Sequence, residues 1–172
     1  MPVRLGIASG LEFRGGGSLA LDAAFAENVI WIGEGVFGRE DWEAQAEWLL
    51  RHEILHAKIA IAHMATRSRT GKRRYELLID AASDAALFIH TLPALRDLSA
   101  LLISYRENGL DDVEEGLVRY IQLIDAGDGV PVTLPLLRAR RVLNAPWGLS
   151  PLTIFRTLIW LPVCGWTARR SS

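Results

Sequence analysis

The spacing of apolar residues changes character near residue 40. Before that point, short apolar runs at Val3 to Ile7, Ser18 to Leu21 and Val29 to Ile32 alternate with glycine-rich stretches, the pattern of short strands joined by turns. Gly15-Gly16-Gly17 lacks the spacing of a phosphate-cradling loop and reads as a hairpin turn. From Asp41 to about Arg67 neither Gly nor Pro occurs, and Leu50, Ile54, Ala57, Ile61 and Met64 recur at steps of four and three. That spacing predicts one long amphipathic helix. The polar segment Ser68 to Arg74, with Gly71 inside it, should turn the chain. A second helix is expected from Tyr75 to Thr91, with Leu78, Ala82, Ala85 and Ile89 as its buried stripe. Further helices are expected at Ala94 to Tyr105 and Asp112 to Ile124, separated by the Asn108-Gly109 turn, with Asp111 or Asp112 as an N-cap. A loop from Ala126 to Pro135 leads to short helical pieces at Leu136 to Leu143 and Pro151 to Leu161.

Strands followed by helices point to an α+β fold: a small N-terminal sheet beside a mostly helical body. The 172 residues suit a single domain, and a net charge of −1 with 50% hydrophobic residues excludes disorder and a strongly basic nucleic-acid binder. Cys164 is the lone cysteine, so no intramolecular disulfide can form and a reducing, cytoplasmic compartment is expected. No apolar run of signal-peptide length opens the chain. The most apolar stretch, Pro151 to Trp166, contains Arg156, Pro162 and Gly165 and falls short of the roughly 20 residues of a membrane span, so no membrane partner is expected.

The chemistry concentrates in the long helix, where His52-Glu53-Ile54-Leu55-His56 forms an HExxH motif. Residues four apart on a helix differ by about 40° in direction and about 6 Å in height, so the two imidazoles can converge on one metal ion. Glu53 lies on the same side and is placed to act as a general base toward water at that ion. For a third ligand, Glu76, Asp80 and Asp84 share one stripe of the second helix. Glu76 followed by Asp80, nineteen residues after the motif, is similar to the spacing of thermolysin-like gluzincins. Height favours another choice. If the chain turns around Thr70, Asp84 comes level with His56, whereas Glu76 would sit about 12 Å too high at 1.5 Å per residue.

The segment from residue 26 to 92 resembles the metallopeptidase-like domains that precede a von Willebrand factor A-like domain in bacterial and phage proteins. Val29-Ile30-Trp31-Ile32 looks like their strand, and RHEILH is similar to their helix motif. Ile79-Asp80-Ala81-Ala82-Ser83-Asp84 fits their WNxAxD segment at its Ala and Asp, with Ile79 and Asp80 replacing the Trp and Asn. The resemblance implies His52, His56 and Asp84 as metal ligands with Glu53 catalytic. It leaves Asp80 open as a brace or a ligand.

These readings combine into a zincin-like, zinc-dependent hydrolase acting on a peptide or protein substrate. Zinc would be held by His52, His56 and Asp84, and the strand at Val29 to Ile32, if it borders the cleft, would pair with an extended substrate. Arg67, Tyr75 and His63 are candidates for stabilising an oxyanion by proximity alone. The alternative is a non-catalytic module of phage or bacterial assembly in which the metal pins two helices. The cluster Arg67, Arg69, Lys72, Arg73 and Arg74 reads as a solvated turn, and nucleic acid is not expected as a partner. His90 faces away from the ligand stripe and receives no role.

Overall fold

The computed structural model describes residues 3–9, 11–14 and 18–145. The triple glycine, the helical piece expected at Pro151 to Leu161, and Cys164 lie outside them. Among the described residues, five strands, β1 (Arg4–Ala8), β2 (Glu12–Arg14), β3 (Ser18–Ala20), β4 (Ala23–Ala26) and β5 (Val29–Gly33), precede five α-helices. These are α1 (Trp42–Met64), α2 (Arg69–Thr91), α3 (Arg96–Glu107), α4 (Asp112–Ala126) and α5 (Leu134–Asn144). The α+β expectation therefore holds. Among the described helices none is by itself long and apolar enough to cross a membrane.

The main sheet has the order β1-β5-β4, with β1 parallel and β4 antiparallel to β5, and β2 and β3 form a separate antiparallel pair. Glu27 and Asn28, both at positive φ (50° and 62°), make the two-residue turn between β4 and β5. That turn leaves β5 in the centre and β4 at an edge. The strand expected to meet a substrate, Val29 to Ile32, thus has both sides occupied.

Helix α1 is buried on two faces. Ala46, Leu50 and Ile54 pack with Ile30, Ile32 and Val36 under the sheet, while Leu55, Ile59 and Ala62 join α2, α4 and α5 in a second, larger core. The apolar residues of α1 consequently spread around its circumference, as befits a helix enclosed by its neighbours. The single stripe read from the sequence captures one of these faces, and its last member, Met64, is exposed.

The turn after α1 comes earlier than the composition of Ser68 to Arg74 suggests. Ala65–Arg67 form a 3-10 turn, and Ser68 caps α2 by accepting from the Gly71 backbone N–H at 3.0 Å. That cap starts the helix at Arg69. Gly71 is required there because a Cβ would lie 1.9 Å from the Ala65 carbonyl oxygen. Asp111 caps α4 by accepting from Val113 and Glu114 backbone N–H groups.

Candidate metal centre

The HExxH segment occupies the third and fourth turns of α1, between its two packed faces, and α4 lies against it. His52 and Glu53 are buried, each 5% exposed, and His56 is half-buried. The two Nε2 atoms stand 3.2 Å apart. A carboxylate completes the group, and it belongs to α4: Glu115 Oε2 lies 3.2 Å from His52 Nε2 and 3.0 Å from His56 Nε2. Four-coordinate zinc with bonds of about 2.0 to 2.1 Å separates its ligand atoms by about 3.3 Å. This triangle is that size, and His52, His56 and Glu115 form a group that could hold a metal ion.

The hydrogen bonds behind the triangle set its chemistry. Nδ1 of His52 donates to Gln122 Oε1 at 2.9 Å, and Nδ1 of His56 donates to Glu114 Oε1 at 2.6 Å. With both Nδ1 atoms as donors, the neutral imidazoles direct their Nε2 lone pairs toward each other and toward a carboxylate oxygen. Three electron-pair donors facing one point need a cation or a proton between them. In the metal-free chain a proton takes that place. Burial opposes a charge on His56, but hydrogen bonds to Glu114 and Glu115 overcome it and raise its pKa to about 10. Burial likewise opposes the charge of Glu115, yet its bonds to His52 and His56 hold its carboxyl well below the usual range.

Glu53 stands outside the triangle. Burial pushes its pKa up against the pull of His56 and His52, with the Phe25 backbone amide lowering it to a smaller extent. It faces a pocket of about 410 Å³ that also contains His52, His56 and Glu115. Ala23, Ala24 and Phe25 of β4 form one wall, Trp48 and Leu49 of α1 another, and Tyr105 and Arg119 line the far side.

The sequence-derived residues separate accordingly. His52, Glu53 and His56 are brought together as expected, but Asp84 is not. Its Oδ2 accepts from Thr133 Oγ1 at 2.5 Å, tying α2 to the N-cap of α5. Glu76 is exposed and lies 3.9 Å from Lys72, and Asp80 borders a surface groove with Arg73 and Arg138. The cause is rotation about α2. Its buried residues, Leu78, Ala81, Ala82, Ala85 and Ile89, face the core, whereas the three acids point to the opposite side. His63 and Tyr75 pack together, centroids 4.9 Å apart, toward the end of α1. Neither they nor Arg67 line the pocket. His90 bonds Ser99 at 2.7 Å.

Glu115 went unread because it comes from a helix 59 residues beyond His56. One local signal pointed to it. Glu115 lies on the stripe of α4 that holds buried Val118, with Gly116 packed under Leu102. A carboxylate on a buried stripe requires partners. No protein-family model, curated protein or solved structure matches the chain.

Proposed function

We propose that the chain is a zincin-like, zinc-dependent hydrolase of peptide or other amide bonds. His52, His56 and Glu115 would hold the ion and Glu53 would act as general base. The observation that carries this reading is the triangle of three donor atoms with a buried, non-coordinating glutamate beside it in the same pocket. A His₂Glu set leaves a coordination position open, and zinc when bound supplies Lewis acidity that brings the ionisation of water toward neutral pH.

The chain's own groups supply the rest. Glu53 takes the proton of the attacking water on its carboxylate and passes it to the leaving nitrogen. Its burial makes it a stronger base than an exposed glutamate. The edge of β4 supports an extended substrate. Asp22 O accepts from Gly33 N at 2.8 Å, so Asp22, Ala24 and Ala26 direct their backbone groups toward β5, and Ala23 and Phe25 direct theirs outward. Among the described residues no strand pairs with that outer edge. The Phe25 N–H lies toward Glu53, and the Phe25 carbonyl and both backbone groups of Ala23 remain for substrate.

The test is metal analysis of the purified chain, followed by mass spectrometry of a defined peptide mixture before chelation, after chelation and after zinc is restored. Equimolar zinc and cleavage that follows it support the reading. Absence of transition metal together with no uptake of added zinc would end it.

A further inference from the structure

Glu115 offers two oxygens, and only one of them meets the histidines. Oε1 is instead occupied by Arg119, one helical turn further along α4, whose Nε donates to it at 2.5 Å. This is not a loose surface pair. The Glu115 side chain is 7% exposed and that of Arg119 is 25% exposed. The guanidinium also lies over the Trp48 ring, 5.9 Å from its centroid, and Trp48 stacks on His52 with centroids 5.6 Å apart at an interplanar angle of 20°. Tyr105 of α3 has Arg119 beside its hydroxyl. Three helices therefore hold one guanidinium against the carboxylate.

A carboxylate free to turn can present both oxygens to a metal ion, which fills one more coordination position. From this arrangement we propose that Arg119 is a positioning residue that holds Glu115 to single-oxygen coordination and so preserves an open position at the metal. The inference rests on the metal-centre reading above. Its argument is steric and electrostatic: the i, i+4 spacing delivers Nε to Oε1, and Trp48 keeps the guanidinium from swinging away. Glu114 and Gln122 orient the two imidazoles from the same helix, so α4 supplies both the third donor and the groups that aim all three. Among these, Arg119 is the one whose loss changes how many oxygens Glu115 can offer.

Cobalt(II) loaded into the metal-free chain reports coordination number through its visible bands, which are intense for four-coordinate and weak for five-coordinate sites. Wild type should show the intense spectrum. Arg119→Met, which keeps the chain length but has no donor, should show weakened bands and a zinc affinity about 10-fold weaker than wild type, with unchanged far-ultraviolet circular dichroism. Arg119→Lys, which still presents a donor to Oε1, should restore the intense bands. A merely structural arginine would leave the spectrum alone, and a Met variant with wild-type bands and affinity would overturn the proposal. Should the Met variant not fold, X-ray absorption on zinc-loaded wild type decides. Two carboxylate oxygens at bonding distance would overturn the assignment, and one would support it. A wild-type chain that takes up neither cobalt nor zinc removes the metal centre itself, and the proposal with it.

Discussion

Replacing Glu115 by Gln separates the structural site from the ligand set with Asp84 that helix height and the family resemblance suggested. The substitution keeps volume and shape but removes the charge and one electron-pair donor from the point where the two Nε2 atoms converge, 3.2 and 3.0 Å from Oε2. Structural zinc sites bind with about 10 to 16 kcal/mol, so one donor among four contributes on the order of 3 kcal/mol, or about a hundredfold in Kd. Asp84→Asn should leave zinc affinity within about twofold and cost only the bond to Thr133, about 1 kcal/mol of stability. Competition against a chromophoric chelator at fixed pH measures both affinities, and thermal unfolding of the metal-free proteins supplies the control. If Glu115→Gln binds zinc as wild type does, or if Asp84→Asn loses it, the reasoning from the triangle fails.

If the proposed hydrolysis is correct, Glu53→Gln should retain zinc while losing hydrolysis by about 10² to 10⁴-fold, because in that reading Glu53 moves a proton and does not coordinate; parallel loss of metal would show it to be a ligand. Zinc binding must displace the proton held on His56, whose pKa is about 10, so apparent affinity should rise by about tenfold per pH unit from 7 to 9, with proton release measurable in weakly buffered solution. A histidine pKa raised in the folded state stabilises fully below its ordinary value of 6.5 and loses that contribution as pH passes through about 10. The metal-free chain should therefore melt at falling temperatures across that window from this group. Gly71→Ala places a methyl against the Ala65 carbonyl and should destabilise by about 1 to 3 kcal/mol or more in urea denaturation.

The local half of the site was legible because HExxH is a statement about one helix. Its angular relation needs no knowledge of the rest of the chain. The third carboxylate was harder, yet the sequence held a warning. The stripe expected to be buried on α2, Leu78, Ala82, Ala85 and Ile89, is buried, and at 3.6 residues per turn Glu76, Asp80 and Asp84 lie roughly half a turn away from it. If that stripe packs inward, the acids cannot reach α1. Comparing heights along two helices neglected direction, and the height itself shifted when Ser68 capped α2 earlier than the glycine suggested. Strand β4 was missed because Ala23–Ala26 carries one large apolar residue, Phe25, and its pairing with β5 depends on the Glu27-Asn28 turn. The donor on α4 shows in the sequence only as a carboxylate on a buried stripe; which helix it meets depends on tertiary packing, which periodicity does not encode.

Because α1 is shared between the sheet core and the helical core, neither can open while the other holds the helix. Amide protons along the middle of α1, from about Ala46 to Ile59, should exchange with solvent only when the whole molecule unfolds, whereas those of α3, which buries only Leu102, should exchange through smaller openings. The most slowly exchanging segment of the chain would then be the one that bears His52, Glu53 and His56.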